Sequence, residues 1–134
     1  MKVLDTDTCI GLLRGYTGVI DRRLAETEEV ATTWVTASEL FYGAAKSIKP
    51  DANSALVVRF LATLPVLGLD LASARVFGEV KARLASQGQI VADADLFIGS
   101  VALSRGATII TGNRRHYERL PGLILEDWLR PTGP

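Results

Sequence analysis

The chain has 134 residues, 15 of them basic and 15 acidic, so its formal net charge is zero and no global field marks a polyanionic partner. With 48% hydrophobic and 22% charged residues it reads as one globular domain, long enough to bury a core without metal or disulfide staples, and not as a disordered chain. Cys9 is the single cysteine, which excludes an internal disulfide and is best read as a small hydrophobe.

Lys2-Val3-Leu4 reads as a short buried strand that runs directly into Asp5-Thr6-Asp7. Thr8 to Arg14 then reads as a helix closed by Gly15, and Val19 to Glu28 as a polar-faced second helix. Glu29 to Val35 is rich in β-branched residues and predicts a strand; Thr36 to Ser47 predicts a helix that Lys49-Pro50 breaks. Ala52 to Thr63 resumes helical spacing, with Leu56, Phe60 and Thr63 along one side. Val66 to Leu69 reads as a short strand, and Asp70 as the cap of a long helix with a Val76, Phe77, Val80, Leu84 stripe that ends at Gly88.

From Ala94 to Ser104 apolar residues surround the helix axis, which predicts burial on most sides. Ala107 to Ile110 is the next strand and Leu123 to Leu125 a last short one, in a domain spanning residues 1–130 with a frayed tail over 131–134. Strands alternating with helices predict a three-layer α/β/α sandwich around a mostly parallel sheet. No leader pattern precedes the first strand, and no apolar run approaches the roughly 20 residues of a bilayer span, so a cytoplasmic location is expected.

In a parallel sheet the carboxyl ends of the strands fall on one side, where such folds bind ligands. Asp5, Glu39, the pair Asp93 and Asp95, and Asn113 all follow strands or open helices, so acids from three segments should meet at one edge. Each has a structural alternative: Asp7 as cap of the first helix, Thr36 with Glu39 as a capping box, and Asp93 as cap of the buried helix. Asp5 and Asp95 resist that reading, since one follows a buried strand and the other lies inside an apolar helix. Clustered carboxylates call for a shared proton or a hard cation such as Mg²⁺ or Mn²⁺, which suits phosphodiester hydrolysis. His116 is the only histidine, and no serine has a triad pattern.

Val3-Leu4-Asp5-Thr6-Asp7 with Leu12-Leu13-Arg14-Gly15, Thr36-Ala37-Ser38-Glu39-Leu40-Phe41-Tyr42-Gly43-Ala44, Ala94-Asp95-Leu96-Phe97-Ile98-Gly99 and Thr111-Gly112-Asn113-Arg114-Arg115-His116-Tyr117 resemble, in order, the motifs of PIN-domain ribonucleases, in particular VapC-type toxins of bacterial toxin–antitoxin pairs. The resemblance covers nearly the whole chain. It implies a Mg²⁺- or Mn²⁺-dependent endoribonuclease that leaves 5′-phosphate and 3′-hydroxyl ends, acting on structured RNA such as transfer or ribosomal RNA. It carries metal ligation to Asp5 and Asp95, service to the metal or its water to Glu39, and water placement to Asn113. Asp93 is an auxiliary acid, and Thr6 and Thr111 take hydroxyl positions that orient ligands or water. Two departures stand: Asp7 replaces a frequent Asn and is read as a cap, and neither Asn113 nor His116 is the fourth acid common in the last motif, leaving one metal or two open.

Arg14, Lys46, Arg114 and Arg115 lie near the acid-bearing turns in sequence and are candidates to hold the RNA backbone. For partners, the resemblance implies a homodimer and a small antitoxin whose tail covers the acids. Phe41, Tyr42, Phe60 and Phe77 are read mainly as core. Two alternatives share features: a non-toxin RNA-processing nuclease, and a haloacid-dehalogenase-type phosphatase, whose Asp-x-Asp opening Asp5-Thr6-Asp7-Thr8 matches. The phosphatase also needs a downstream lysine, and none follows Lys81.

Overall fold

The computed structural model describes residues 1–131; of the tail expected to fray, residues 132–134 lie outside the described residues. Strand β1 (Lys2–Leu4) leads into helices α1 (Thr6–Leu13) and α2 (Thr17–Ala25). Strand β2 (Val30–Thr33) is followed by α3 (Trp34–Ala45) and α4 (Pro50–Leu61), and β3 (Val66–Leu67) by α5 (Leu71–Ser86) and α6 (Asp93–Ser104). Strand β4 (Thr108–Ile110), α7 (Arg114–Tyr117) and β5 (Ile124–Glu126) complete the chain.

The five strands lie in the order β3-β2-β1-β4-β5, and every described pairing is parallel. The chain builds outward from β1 through β2 to β3, then crosses back to lay β4 on the other side of β1. The order therefore reverses at β1 and β4, and the crevice beyond their carboxyl ends is where an open α/β sheet takes its ligand.

Period-two alternation divides the core between the two faces of the sheet. Leu4 and Ile110 point to one face, packing with Cys9, Leu40, Ala44, Val57 and Trp128. Val3 and Ile109 point to the other, packing with Ile98, Ala102 and Tyr117. Helices thus cover both faces, the expected α/β/α arrangement. Helix α6 buries Leu96, Ile98, Gly99, Ser100, Val101 and Ala102, so it is enclosed on most sides as its sequence predicts.

Several local expectations are corrected. Trp34 and Val35 open α3 instead of extending β2, because Thr33 stops the strand and its hydroxyl accepts the Thr36 amide at 3.2 Å. Thr36 is therefore inside the helix, and no capping box ties down Glu39. In α4 Val57 is buried, with Phe60 and Leu61 partly buried against the same core; of the expected stripe Phe60 packs inward, whereas Leu56 and Thr63 are exposed. Phe41 and Tyr42, read as core, are exposed, Tyr42 by 67%. Phe77 instead stacks on Phe97 with ring centroids 4.0 Å apart. Asp70 does cap α5, completing a capping box with Ser73.

Gly99 lets α6 lie close to the loop after α7: a Cβ there would meet Leu120 Cδ2 at 2.3 Å. Leu120 is itself buried, so overpacking should outweigh the helix propensity gained, and Gly99→Ala should lose about 1–3 kcal/mol in urea unfolding.

Candidate active site

Strand register sets the first contact. Leu4 pairs with Ile110, so the residues that follow, Asp5 and Thr111, leave the sheet side by side. The Thr111 hydroxyl donates to Asp5 Oδ2 at 2.7 Å, and the Thr6 amide donates to Asp5 Oδ1 at 2.8 Å. Asp5 also occupies the N-cap position of α1, and it is 3% exposed. Its neighbour Asp7, expected as the cap, instead reaches across to β4, where its Oδ2 accepts the Gly112 amide at 2.9 Å. The reason is rotational: Asp7 lies inside the first turn of α1 and faces the loop after β4.

Thr6 brings the second acid to the first. Its hydroxyl donates to Glu39 Oε1 at 2.8 Å and lies 3.1 Å from the Thr36 hydroxyl, joining the start of α1 to α3. The third acid, Asp95, sits in the first turn of α6, with His116 Nδ1 at 2.7 Å from its Oδ2 and the Tyr117 hydroxyl at 3.5 Å from its Oδ1. Tyr117 links this end back to Asp5, whose pKa its hydroxyl helps to lower. Burial, with the fields of Asp5 and Asp95, pushes the phenol of Tyr117 far up, so it stays protonated. Sequence reasoning gave Tyr117 no role, because a tyrosine in a four-residue helix carries no periodic or charge signal.

The acids are not neutralised. The ion pairs among the described residues leave Asp5, Asp7 and Glu39 without a basic partner. Burial, opposed by the Thr111 hydrogen bond and reinforced by Asp7, raises the Asp5 pKa to about 6. Burial also raises Asp7, despite the Gly112 amide. Since the folded value of Asp5 lies above the ordinary 3.8, the fold prefers the protonated acid. Its contribution to stability is full below about pH 4 and is lost as pH rises through about 6. Ion-free protein should therefore be more stable near pH 5.5 than near pH 7.5 by about 1 kcal/mol, and Asp5→Asn should flatten that slope in calorimetric scans.

Other sequence candidates fall at different distances from this cluster. The Asp93 carboxylate is engaged by Lys81 Nζ at 2.9 Å, turned toward α5, and it does not cap α6, whose N-cap is Ala92. Asn113 is exposed, and its backbone amide donates to the Thr111 hydroxyl at 2.9 Å. Arg14 and Lys46 lie at the C-caps of α1 and α3, the ends opposite to Asp5 and to Thr33. At about 1.5 Å rise per residue the helices carry them roughly 10 Å or more along the axis from the acids. Lys46 there stacks over Tyr42, 4.8 Å from the ring centroid.

Arg114 and Arg115 remain near the acids. They line an open groove of about 1110 Å³ with Arg22, Asn113, His116 and Arg130, a lining shared with the acids Glu26, Glu118, Glu126 and Asp127. A smaller pocket of about 310 Å³ holds Asp95, Arg115, His116 and Arg119. Of the three candidate acids only Asp95 lines either of these two pockets, the smaller one. Arg115 and His116 line both.

Among the described residues, no three histidine, cysteine, aspartate or glutamate side chains already close into a metal cage. The donor chemistry nevertheless fits a hard divalent ion: a buried carboxylate with no cation beside it, two further acids held by hydrogen bonds, and an exposed approach. An ion that keeps several waters needs only one or two carboxylates directly.

A family model described as "PIN domain" matches residues 2–123. The chain is 39% identical over 127 residues to the tRNA(fMet)-specific endonuclease VapC of Salmonella typhimurium, covering 94% of this chain and 96% of that protein. It is 32% identical over 128 residues to ribonuclease VapC2 of Haemophilus influenzae, covering 95% and 97%. A crystal structure of DNA-bound VapBC from Salmonella typhimurium superposes with a TM-score of 0.89 at 38% identity, covering 95% of this chain and 97% of that one.

Proposed function

This chain belongs to the PIN-domain family, and on that premise we propose that it is an endoribonuclease, the toxin of a toxin–antitoxin pair, dependent on Mg²⁺ or Mn²⁺. The observation that carries the reading is that Thr6 joins Asp5 to Glu39, and Tyr117 joins Asp5 to Asp95, at the reversal of strand order. A phosphatase with Asp7 as acid or base is not favoured. The Asp7 carboxylate is tied to the Gly112 amide, and the family match lies elsewhere.

Asp5 and Asp95 would hold a divalent ion, which would supply polarisation of the scissile phosphate, a lowered pKa for a water and relief of the charge gained in the transition state. Asp5 is the anchoring ligand: Thr111 and the Thr6 amide fix its orientation, and its destabilised charge is what a cation relieves. Asp95 is the second ligand, and Glu39, aimed by Thr6, accepts hydrogen bonds from the attacking water. Thr111 acts through Asp5, while Asn113 lies exposed at the mouth of the groove, where it can meet water or substrate. Arg114 and Arg115 neutralise phosphates along the groove, whereas Arg14 and Lys46 stand too far down their helices to reach the cleaved bond.

The Salmonella relative acts, by its name, on initiator transfer RNA, so transfer RNA is the substrate to test first. The relatives' assembly as VapBC supports a small antitoxin as partner, with a homodimer as the working assembly. Among the described residues no helix is long and apolar enough to cross a membrane. Induced without its antitoxin, the chain should arrest bacterial growth; unarrested growth with full-length, folded protein present would count against the toxin role.

A further inference from the structure

Arg119 takes no part in the hydrogen bonds that hold the acids, yet it lines the small pocket beside Asp95. We infer that this pocket is a phosphate subsite, in which Arg115 and Arg119 hold an RNA phosphate that flanks the one being cut. The inference rests on the endoribonuclease reading above and adds to it a residue that positions the substrate.

The ionisable side chains of the pocket are Asp95, Arg115, His116 and Arg119, and Ile90, Val91 and Ala92 complete its lining. Among the described residues neither Arg115 nor Arg119 pairs with an acid, whereas Arg114, from the same turn, lies 4.0 Å from Glu118. Two permanently charged guanidinium groups thus converge on one concavity with their charge unmatched. Asp95 does not match it, because its Oδ2 is 2.7 Å from His116 Nδ1 and its Oδ1 is 3.5 Å from the Tyr117 hydroxyl. Arg119 is also held in place: its Nη1 donates to Ile90 O at 3.0 Å, which fixes the planar fork and leaves its other N–H groups for a ligand.

Such a lining selects an anion, and its position says which. Arg115 and His116 line both this pocket and the larger groove, so a backbone held in the groove continues into the pocket. Asp95, read as a ligand of the ion at the cut, is part of the same wall, which makes the phosphate received here a neighbour of the scissile one. At about 310 Å³ the pocket is the size of a small-ligand site, and Ile90 and Val91 give a nucleotide sugar an apolar surface to rest on. An acidic peptide also satisfies two arginines, but continuity with the groove favours RNA.

Cleavage kinetics on transfer RNA at several salt concentrations test the subsite. In Arg119→Gln and in Arg115→Gln, KM should rise about tenfold while kcat changes less than about threefold, and the salt slope of binding should fall by about one. Arg119→Lys, which keeps the charge without the fork, should recover part of the loss. Arg115→Gln, at an exposed position, carries the test should Arg119→Gln disturb the loop at Ile90. Single phosphates on either side of the mapped cut are then replaced by uncharged methylphosphonates. At one position the RNA itself should bind about tenfold more weakly, and Arg119→Gln or Arg115→Gln should then cost nothing further. Parent-like KM and salt slope in the folded variants overturn the inference, as does a loss that persists whichever flanking phosphate is neutralised. So does weakened antitoxin binding with intact RNA kinetics, which makes the pocket a peptide site. In each of those cases cleavage by the parent chain leaves the endoribonuclease reading standing, whereas a folded parent chain that cuts no RNA removes both.

Discussion

Asp5→Asn is expected to lower RNA cleavage by at least about 10³-fold, equivalent to roughly 4 kcal/mol of lost transition-state stabilisation, while leaving the protein folded. The two halves of that result have one cause. Asp5 is almost fully buried, accepts hydrogen bonds from Thr111 and the Thr6 amide, and has no basic partner, so the fold carries its charge at a loss. A raised pKa of about 6 against 3.8 is worth about 3 kcal/mol at neutral pH. Asparagine keeps the shape and one acceptor and removes the charge, so the ion-free variant should unfold at equal or higher denaturant concentration. A loss of activity caused by collapse would instead come with a lower midpoint. Active sites commonly trade stability for function in this way.

Chelation is expected to have an effect of similar size. Removing divalent ions should stop cleavage, and adding Mn²⁺ or Mg²⁺ back should restore it. The same addition should raise the melting temperature, because an ion that binds only the folded chain stabilises it by about 2.7 kcal/mol at a hundredfold excess over its Kd. Asp5→Asn should respond weakly to either ion. A parent chain that cuts RNA at full rate in excess EDTA would remove the metal from the account, even if the acids proved essential.

The sheet and its acidic edge were legible in the sequence because both rest on strong local signals. Val3-Leu4 and Ile109-Ile110 are apolar pairs, and Asp5 and Thr111 follow them directly, so polarity changes at one peptide bond. Caps were less legible. Thr33, Thr36 and Asp7 all have the chemistry of a cap, and which one serves depends on where the strand lets go: Thr33 ends β2, so Thr36 and Glu39 turn inward toward Thr6. In α4 Phe60 packs inward as expected but Val57 and Leu61 replace Leu56 and Thr63 beside it, because the face turned inward is set by contact with the core around Leu40 and Ala44.

For the cations, nearness in sequence is not nearness in space. Arg14 and Lys46 follow acid-bearing helices, yet each closes the far end of its helix, while Arg22 and Arg130, far from any motif, line the groove beside Arg114 and Arg115. No sequence pattern signals such a convergence, which arises from how α2 and the C-terminal segment fold over β5. His116 and Tyr117 were part of the resemblance without a role, and their placement on Asp95 emerges only in three dimensions.

The most direct measurement is the chemistry of the cut ends. Transfer RNA incubated with purified antitoxin-free protein and Mn²⁺ should yield new fragments with 5′-phosphates and 3′-hydroxyls at defined positions, and none with Asp5→Asn or with EDTA. Fragments ending in 2′,3′-cyclic phosphates, or the same fragments from Asp5→Asn at an undiminished rate, would contradict water attack at an Asp5-anchored metal.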